Sequence, residues 1–257
     1  MNIKRILAVA VSAGLLAWLM ADGRWRGLGD VFARLDGLTL GLAAAGFGLS
    51  YLLRALRIFD EFRAQASGRF GTCLRITLIH NAMINVVPFR GGEAAFPLLL
   101  RKNFGVPLPR AIASLFWFRL QDAFVVMALA AIVWPGLHPA LKAAAVLGVV
   151  AIAWWLPRWA RAPHAWADGS GFIAKFAKVR DAFAESTRHA RFGWVWTIAN
   201  WTVKLAAQAG LLAALIPATA SVGAAGALGA ELAAILPIQG VAGFGTYEAG
   251  AAAAMLP

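Results

Sequence analysis

Runs of apolar residues recur from one end of the chain to the other, at 6–21, 38–53, 74–88, 111–135, 140–156, 192–217 and 222–236. A helix crosses the hydrocarbon of a bilayer with about 20 such residues, and several of these runs approach or exceed that length. Backbone immersed in lipid must satisfy its own polar groups, which a helix does within itself. Composition agrees, since 61% of the 257 residues are hydrophobic and 14% charged, against about 25% charged in soluble domains. The chain therefore reads as an all-α polytopic membrane protein, a single transmembrane domain over 1–257 with about six to eight transmembrane segments.

The third and seventh runs are short and stop at prolines. In "NVVPFRGGEAAFPLLLRK" the interruption is Pro88, Phe89, Arg90, Gly91 and Gly92; in "LPIQGVAGFGTYEAGAAAAML" it is Pro237, Ile238, Gln239 and Gly240. Proline removes a backbone donor and disfavours helix in the residue before it, while glycine admits backbone conformations closed to other residues. Each break is followed by a glutamate that opens a new apolar stretch, Glu93 and Glu248. Unwound backbone at membrane depth has to be buried in protein or line a wet cavity. The expectation is two re-entrant broken-helix hairpins, about 76–100 and 223–256, in inverted orientation, a pattern that points to a transporter-like site at the midplane. The N-terminal turn of each second arm would present free N–H groups to an anion. The alternative is that each glutamate only caps its own half-helix.

The net charge of +12 does not point to nucleic acid, because the basic residues fall where membrane topology places them. With the N-terminus cytoplasmic and the first hairpin returning to the face it left, Lys4 and Arg5, then Arg54, Arg57, Arg63, Arg69 and Arg75, then Arg101, Lys102 and Arg110, and the basic loop at about 157–191 all lie inside. Arg24, Arg26, Arg34 and Lys142 lie outside. That asymmetry is the positive-inside pattern. The loop, with "KFAKVRDAFAESTRHAR", is expected to form an amphipathic helix on anionic lipid. Lys4 and Arg5 before an apolar run also suggest a secretory leader. Leu19, however, stands where cleavage after Ala21 needs a small residue, so a retained helix is expected. Further apolar residues are expected beyond Pro257 in the full protein.

Polar residues converge within the apolar runs. Arg119 and Asp122 stand three apart, on one helical face. Thr77, Asn81 and Asn85, and likewise Asn200, Lys204 and Gln208, recur every fourth residue and read as polar stripes, either the wall of a cavity or interhelical glue. Arg90, Glu93, Arg119, Asp122, Lys204, Glu231 and Glu248 would each cost roughly 2.5–3.5 kcal/mol if left unpaired at the membrane centre. They must pair, lose their charge or meet water. A purely structural network satisfies the same requirement and stays open as an alternative.

Other chemistry is not indicated. His80, His138, His164 and His189 lack metal-ligand spacing, so no metal is expected. No Walker A, dinucleotide fingerprint or G-x-S-x-G elbow occurs, and no cofactor is expected. Cys73, the single cysteine, rules out an internal disulfide.

The pieces "PFRGGEAAFPLLLRK", "RLQD" and "LPIQGVAGFGTYE", in that order, resemble the flippase-like family named after the transmembrane domain of lysylphosphatidylglycerol synthase. That family includes the membrane part of the multiple peptide resistance factor and hopanoid-associated membrane proteins. The resemblance implies a multi-pass protein of the bacterial inner membrane that binds or moves lipids with polar headgroups. It places the functional emphasis on Arg90, Gly91, Gly92, Glu93, Arg119, Asp122, Gly243, Gly245 and Glu248. Residue reading adds Lys204 and Gln239 to this substrate-binding set. The chain has no long hydrophilic segment to hold the aminoacyl-transferase domain of larger members, so lipid synthesis is not expected of it.

The combined reading is a lipid flippase that holds a polar headgroup at the midplane and passes it between leaflets. Its partner is an anionic, zwitterionic or aminoacylated membrane lipid, with a homo-oligomer also open. A membrane-embedded transferase or hydrolase, with Glu93 or Asp122 as general base, and a non-transporting scaffold for lipid synthesis are the alternatives.

Overall fold

The computed structural model describes residues 29, 33, 35–87, 91–134, 136–164, 171–188, 191–216, 218–234 and 246–255. The described residues are helical, with no strand among them. The helices are α1 (Gly37–Glu61), α2 (Arg63–Ala66), α3 (Phe70–Val86), a 3-10 turn (Gly91–Ala94) leading into α4 (Ala95–Phe104), α5 (Leu108–Val133), α6 (Pro139–Arg161), α7 (Phe172–Ser186), α8 (Gly193–Leu215), α9 (Ala220–Ala233) and α10 (Thr246–Met255).

Among the described residues 4 helices, α1, α5, α6 and α8, are long and apolar enough to cross a membrane. At 1.5 Å per residue the 25 residues of α1 extend about 37 Å, more than the hydrocarbon thickness. Its start is fixed by Asp36, whose carboxylate accepts the Thr39 backbone N–H at 2.6 Å, as an N-cap acid does. α6 buries none of its most apolar window inside the protein, as expected of a helix that faces lipid.

The apolar run that the sequence ends at residue 53 continues as helix to Glu61. Arg54 and Arg57 therefore lie on α1 itself and not in a loop. Arg57, 5% exposed, is neutralised from α5.

Two compact units divide the chain, one of residues Gly46–Ala206 and one of Met1–Ala45 with Ala207–Pro257. In the first, a core of Ala55, Ile58, Phe62, Cys73, Ile76, Phe96, Leu100 and Phe118 joins the end of α1 to α3, α4 and α5. α3 and α4 run antiparallel. Gly92 at the start of the second arm lies against Met83 and Ile84 at the end of α3. At the opposite end Asn103 Oδ1 accepts from Arg75 Nη2 at 2.9 Å. A Cβ on Gly92 would stand 2.1 Å from the Met83 carbonyl oxygen, so only glycine permits this fold-back. Gly105, at φ 68°, ends α4 in the left-handed conformation that such C-terminal glycines adopt.

The helix expected on the lipid surface forms as α7, but part of its apolar face packs on protein. Phe183 meets Phe116 and Trp117 edge-on, with ring centroids 5.8 and 5.4 Å apart, and Ala184 joins Ala160 in the same cluster.

In the second unit α9 and α10 form another antiparallel pair. A Cβ on Gly229 would fall 2.3 Å from the Gly250 carbonyl oxygen, and one on Gly226 would meet Met255. Small residues thus let the two backbones touch, as in other closely packed membrane helices.

Candidate functional site

The first break gathers charge. Arg119 Nη2 donates to Glu93 Oε1 at 2.7 Å. His80 Nε2 lies 3.4 Å from Glu93 Oε2, with neither of those two atoms in hydrogen-bond geometry, and its ring rests on Phe96 with centroids 5.2 Å apart. Glu93 is thus tied to side chains of α3 and α5. The residue at the N-cap of α4 is Ala94, which supplies no side-chain cap, so the capping role considered for Glu93 is not the one its contacts describe.

Asp122 lies one turn from Arg119. The expected pair between them is long, 3.9 Å from Arg119 Nη1 to Asp122 Oδ2. The tight partner of Asp122 is Arg57, Nη1 to Oδ1 at 2.7 Å, reinforced by the Trp201 indole N–H at 3.0 Å. Arg57 Nη2 also donates to the Phe118 carbonyl at 2.7 Å and to Gln121 Oε1 at 2.8 Å, and its guanidinium stands 4.2 Å from the Phe118 ring. A buried ion pair holds only when its remaining donors are satisfied. Here most of them are, which makes Arg57–Asp122 the structural half of the cluster.

The other half is more open. The Arg119 side chain is 40% exposed and that of Glu93 24%. Arg54 is half-buried; its Nε donates to Asn200 Oδ1 at 3.3 Å, and no carboxylate partner for it appears among the described residues. Arg54, Arg57 and Arg119 outnumber Glu93 and Asp122, which leaves an excess of positive charge beside the break.

Each polar stripe joins helices in part. Asn200 Oδ1 also accepts from Ser50 Oγ at 2.7 Å, Asn81 Nδ2 donates to the Tyr51 hydroxyl at 2.7 Å, and Thr77 bonds back to the Cys73 carbonyl. Lys204 Nζ stands 4.7 Å from the Trp201 ring, a cation–π contact. Asn85 is exposed.

The second unit has a polar group of different character. Gln208 Nε2 donates to Glu231 Oε1 at 2.9 Å and to the Tyr247 oxygen at 2.6 Å, and the Tyr247 hydroxyl donates to Glu231 Oε1 at 2.9 Å. Glu231 is buried and Glu248 exposed.

Of the residues singled out by sequence, the structure brings Glu93, Arg119 and Asp122 together, with Gly91 and Gly92 forming the turn that delivers Glu93. Lys204 joins through Trp201. Glu248 opens α10 in the other unit. Arg90, Gln239, Gly243 and Gly245 lie outside the described residues. Sequence reasoning missed Arg54, Arg57, His80, Trp201 and Tyr247. The available signal was Arg54 and Arg57 spaced three apart in "LLRALRIF", where apolar residues continue past both. Among the described residues no group of His, Cys, Asp and Glu could hold a metal ion.

Long apolar helices with a charged cluster set at a glycine-dependent fold-back define a multi-pass helical membrane protein. The family described as the lysylphosphatidylglycerol synthase TM region matches residues 5–257, and the chain belongs to it. No curated protein and no solved structure gives a significant match.

Proposed function

We propose that this chain binds the polar headgroup of a phospholipid beside the first break and passes it between leaflets while the acyl chains stay in lipid. The observation that carries the reading is the positive excess at Arg54 and Arg119, partly exposed and adjacent to an interrupted helix. A phosphate is the natural guest for two guanidiniums, since the planar fork of arginine matches its oxygens. In this reading Glu93 releases Arg119 to the phosphate and turns to an amine or hydroxyl of the headgroup, while Arg57–Asp122 stays closed and holds Arg119 in register. In this reading the α3–α4 hairpin enters and leaves the membrane on one face. The setting is a bacterial inner membrane with the N-terminus cytoplasmic, and movement is passive or coupled to an ion gradient.

Purified protein in liposomes holding headgroup-labelled phosphatidylglycerol tests this. The expectation is lipid exchange between leaflets that Glu93→Gln and Arg119→Gln each slow at least tenfold while the variants stay folded. Unchanged exchange in both variants contradicts the reading. A covalently altered lipid identifies the membrane-embedded transferase or hydrolase instead, and absence of both exchange and product points to the scaffold.

A further inference from the structure

The α3–α4 hairpin carries a second feature at the end opposite its break. A groove of about 260 Å3 there is lined by Arg75, Ile76, Ile79, Leu99, Lys102 and Asn103. Its walls are apolar and its rim basic. Asn103 is fully committed: its side-chain oxygen accepts from Arg75, its amide donates to the Leu99 carbonyl at 2.8 Å, and its own carbonyl accepts from Arg69 Nη1 at 3.0 Å. Arg75 is thereby braced at the rim. Lys102, exposed, makes no hydrogen bond or ion pair among the described residues.

The charged residues that line the groove, Arg75 and Lys102, are both basic, and Arg69 adds a third cation on the Asn103 carbonyl. Glu93 lies in the 3-10 turn before the far end of α4, about 15 Å away at 1.5 Å per residue. Along α3 the apolar wall continues through Ile79, Met83 and Val86, at 39%, 37% and 74% exposure. These fall on one stripe of the helix, directed away from the basic rim toward the break.

We propose that this groove docks an anionic phospholipid as a second lipid site, separate from the cluster at the break. Lys102 and Arg75 take the phosphate, and one acyl chain lies over Leu99 and Ile79 and on along the α3 stripe. A zwitterionic lipid is disfavoured because its ammonium finds cations and no carboxylate at the rim. A soluble phosphate ester is disfavoured because it leaves the apolar wall unfilled.

Native mass spectrometry of the full chain, released from nanodiscs of dioleoylphosphatidylcholine with a minority of dioleoylphosphatidylglycerol, reads this directly. The wild type retains phosphatidylglycerol in preference to phosphatidylcholine. Lys102→Glu lowers that retention about thirtyfold, since each basic residue near the surface contributes about 1 kcal/mol and reversal counts twice. Ile79→Trp, which fills the groove without changing charge, also lowers it. In an Arg119→Gln background, where the lipid at the break is lost, phosphatidylglycerol is still retained and Lys102→Glu still removes it, so loss of lipid exchange and loss of this site are read separately. Added glycerol 3-phosphate does not displace the lipid. Retention unchanged in both Lys102→Glu and Ile79→Trp, equal retention of the two lipids, or displacement by glycerol 3-phosphate overturns the proposal.

Discussion

The helix pairs α3–α4 and α9–α10 share a plan and differ in chemistry. Each is an antiparallel pair, and each is closed by a glycine pressed against backbone, Gly92 on Met83 in one and Gly229 on Gly250 in the other. The first pair sets Glu93 against Arg119 with both side chains partly exposed. The second buries residues 225–231, and its polar group is a carboxylate met by a tyrosine hydroxyl and an amide. A fold-back of two helices can thus carry a partly exposed ion pair or a close helix–helix contact. Charge tolerates access to water, and close contact tolerates no added volume.

The largest effect is expected where the fold-back itself is broken. Gly92→Val sets side-chain carbon on the Met83 carbonyl and should cost more than about 4 kcal/mol, seen as loss of monodisperse protein on size exclusion. Asp122→Asn leaves Arg57 buried without its counter-charge, for a loss of about 3–5 kcal/mol in denaturant unfolding. Glu93→Gln, at a partly exposed pair, should lose under about 1 kcal/mol in the same measurement, and this contrast separates the structural half of the cluster from the open half. In the second pair, Gly250→Val overpacks the α9 contact and should cost about 1–3 kcal/mol, lowering the melting temperature without altering the charged cluster.

The smallest effect lies outside both pairs. The Thr39 backbone N–H holds the Asp36 carboxyl below its ordinary value. A carboxylate with a lowered folded pKa contributes stability above the unfolded value, near pH 4, and loses it as pH falls through the folded one. Faster exchange of the Thr39 amide should therefore appear only in acid and be absent from Asp36→Ala, which exchanges fast throughout.

The helical class and the first break were legible in sequence because length, apolarity, proline and paired glycine each act locally. Glu93, Arg119 and Asp122 were legible because charge in an apolar run is costly wherever it sits. Their pairing was not. Asp122 is nearest Arg119 in sequence, yet its tight partner Arg57 comes from α1, a contact that no periodicity encodes. Arg54 and Arg57 were counted among the charges of the segment after the second apolar run, and the structure places both on α1, with Arg57 paired to Asp122. Of the polar stripes, Asn81 and Asn200 meet Tyr51 and Ser50 of a neighbouring helix, a partner that the spacing by itself does not distinguish from a cavity.

The account rests on the α3–α4 hairpin returning to the face it enters, and cysteine labelling reads this most directly. In a Cys73→Ala background, Ser67→Cys before α3 and Arg101→Cys near the end of α4 are each exposed to an impermeant maleimide added to one face of sealed vesicles. The account predicts that both are labelled from the same face, the one that also labels Arg188→Cys. Labelling of Ser67→Cys and Arg101→Cys from opposite faces would contradict it.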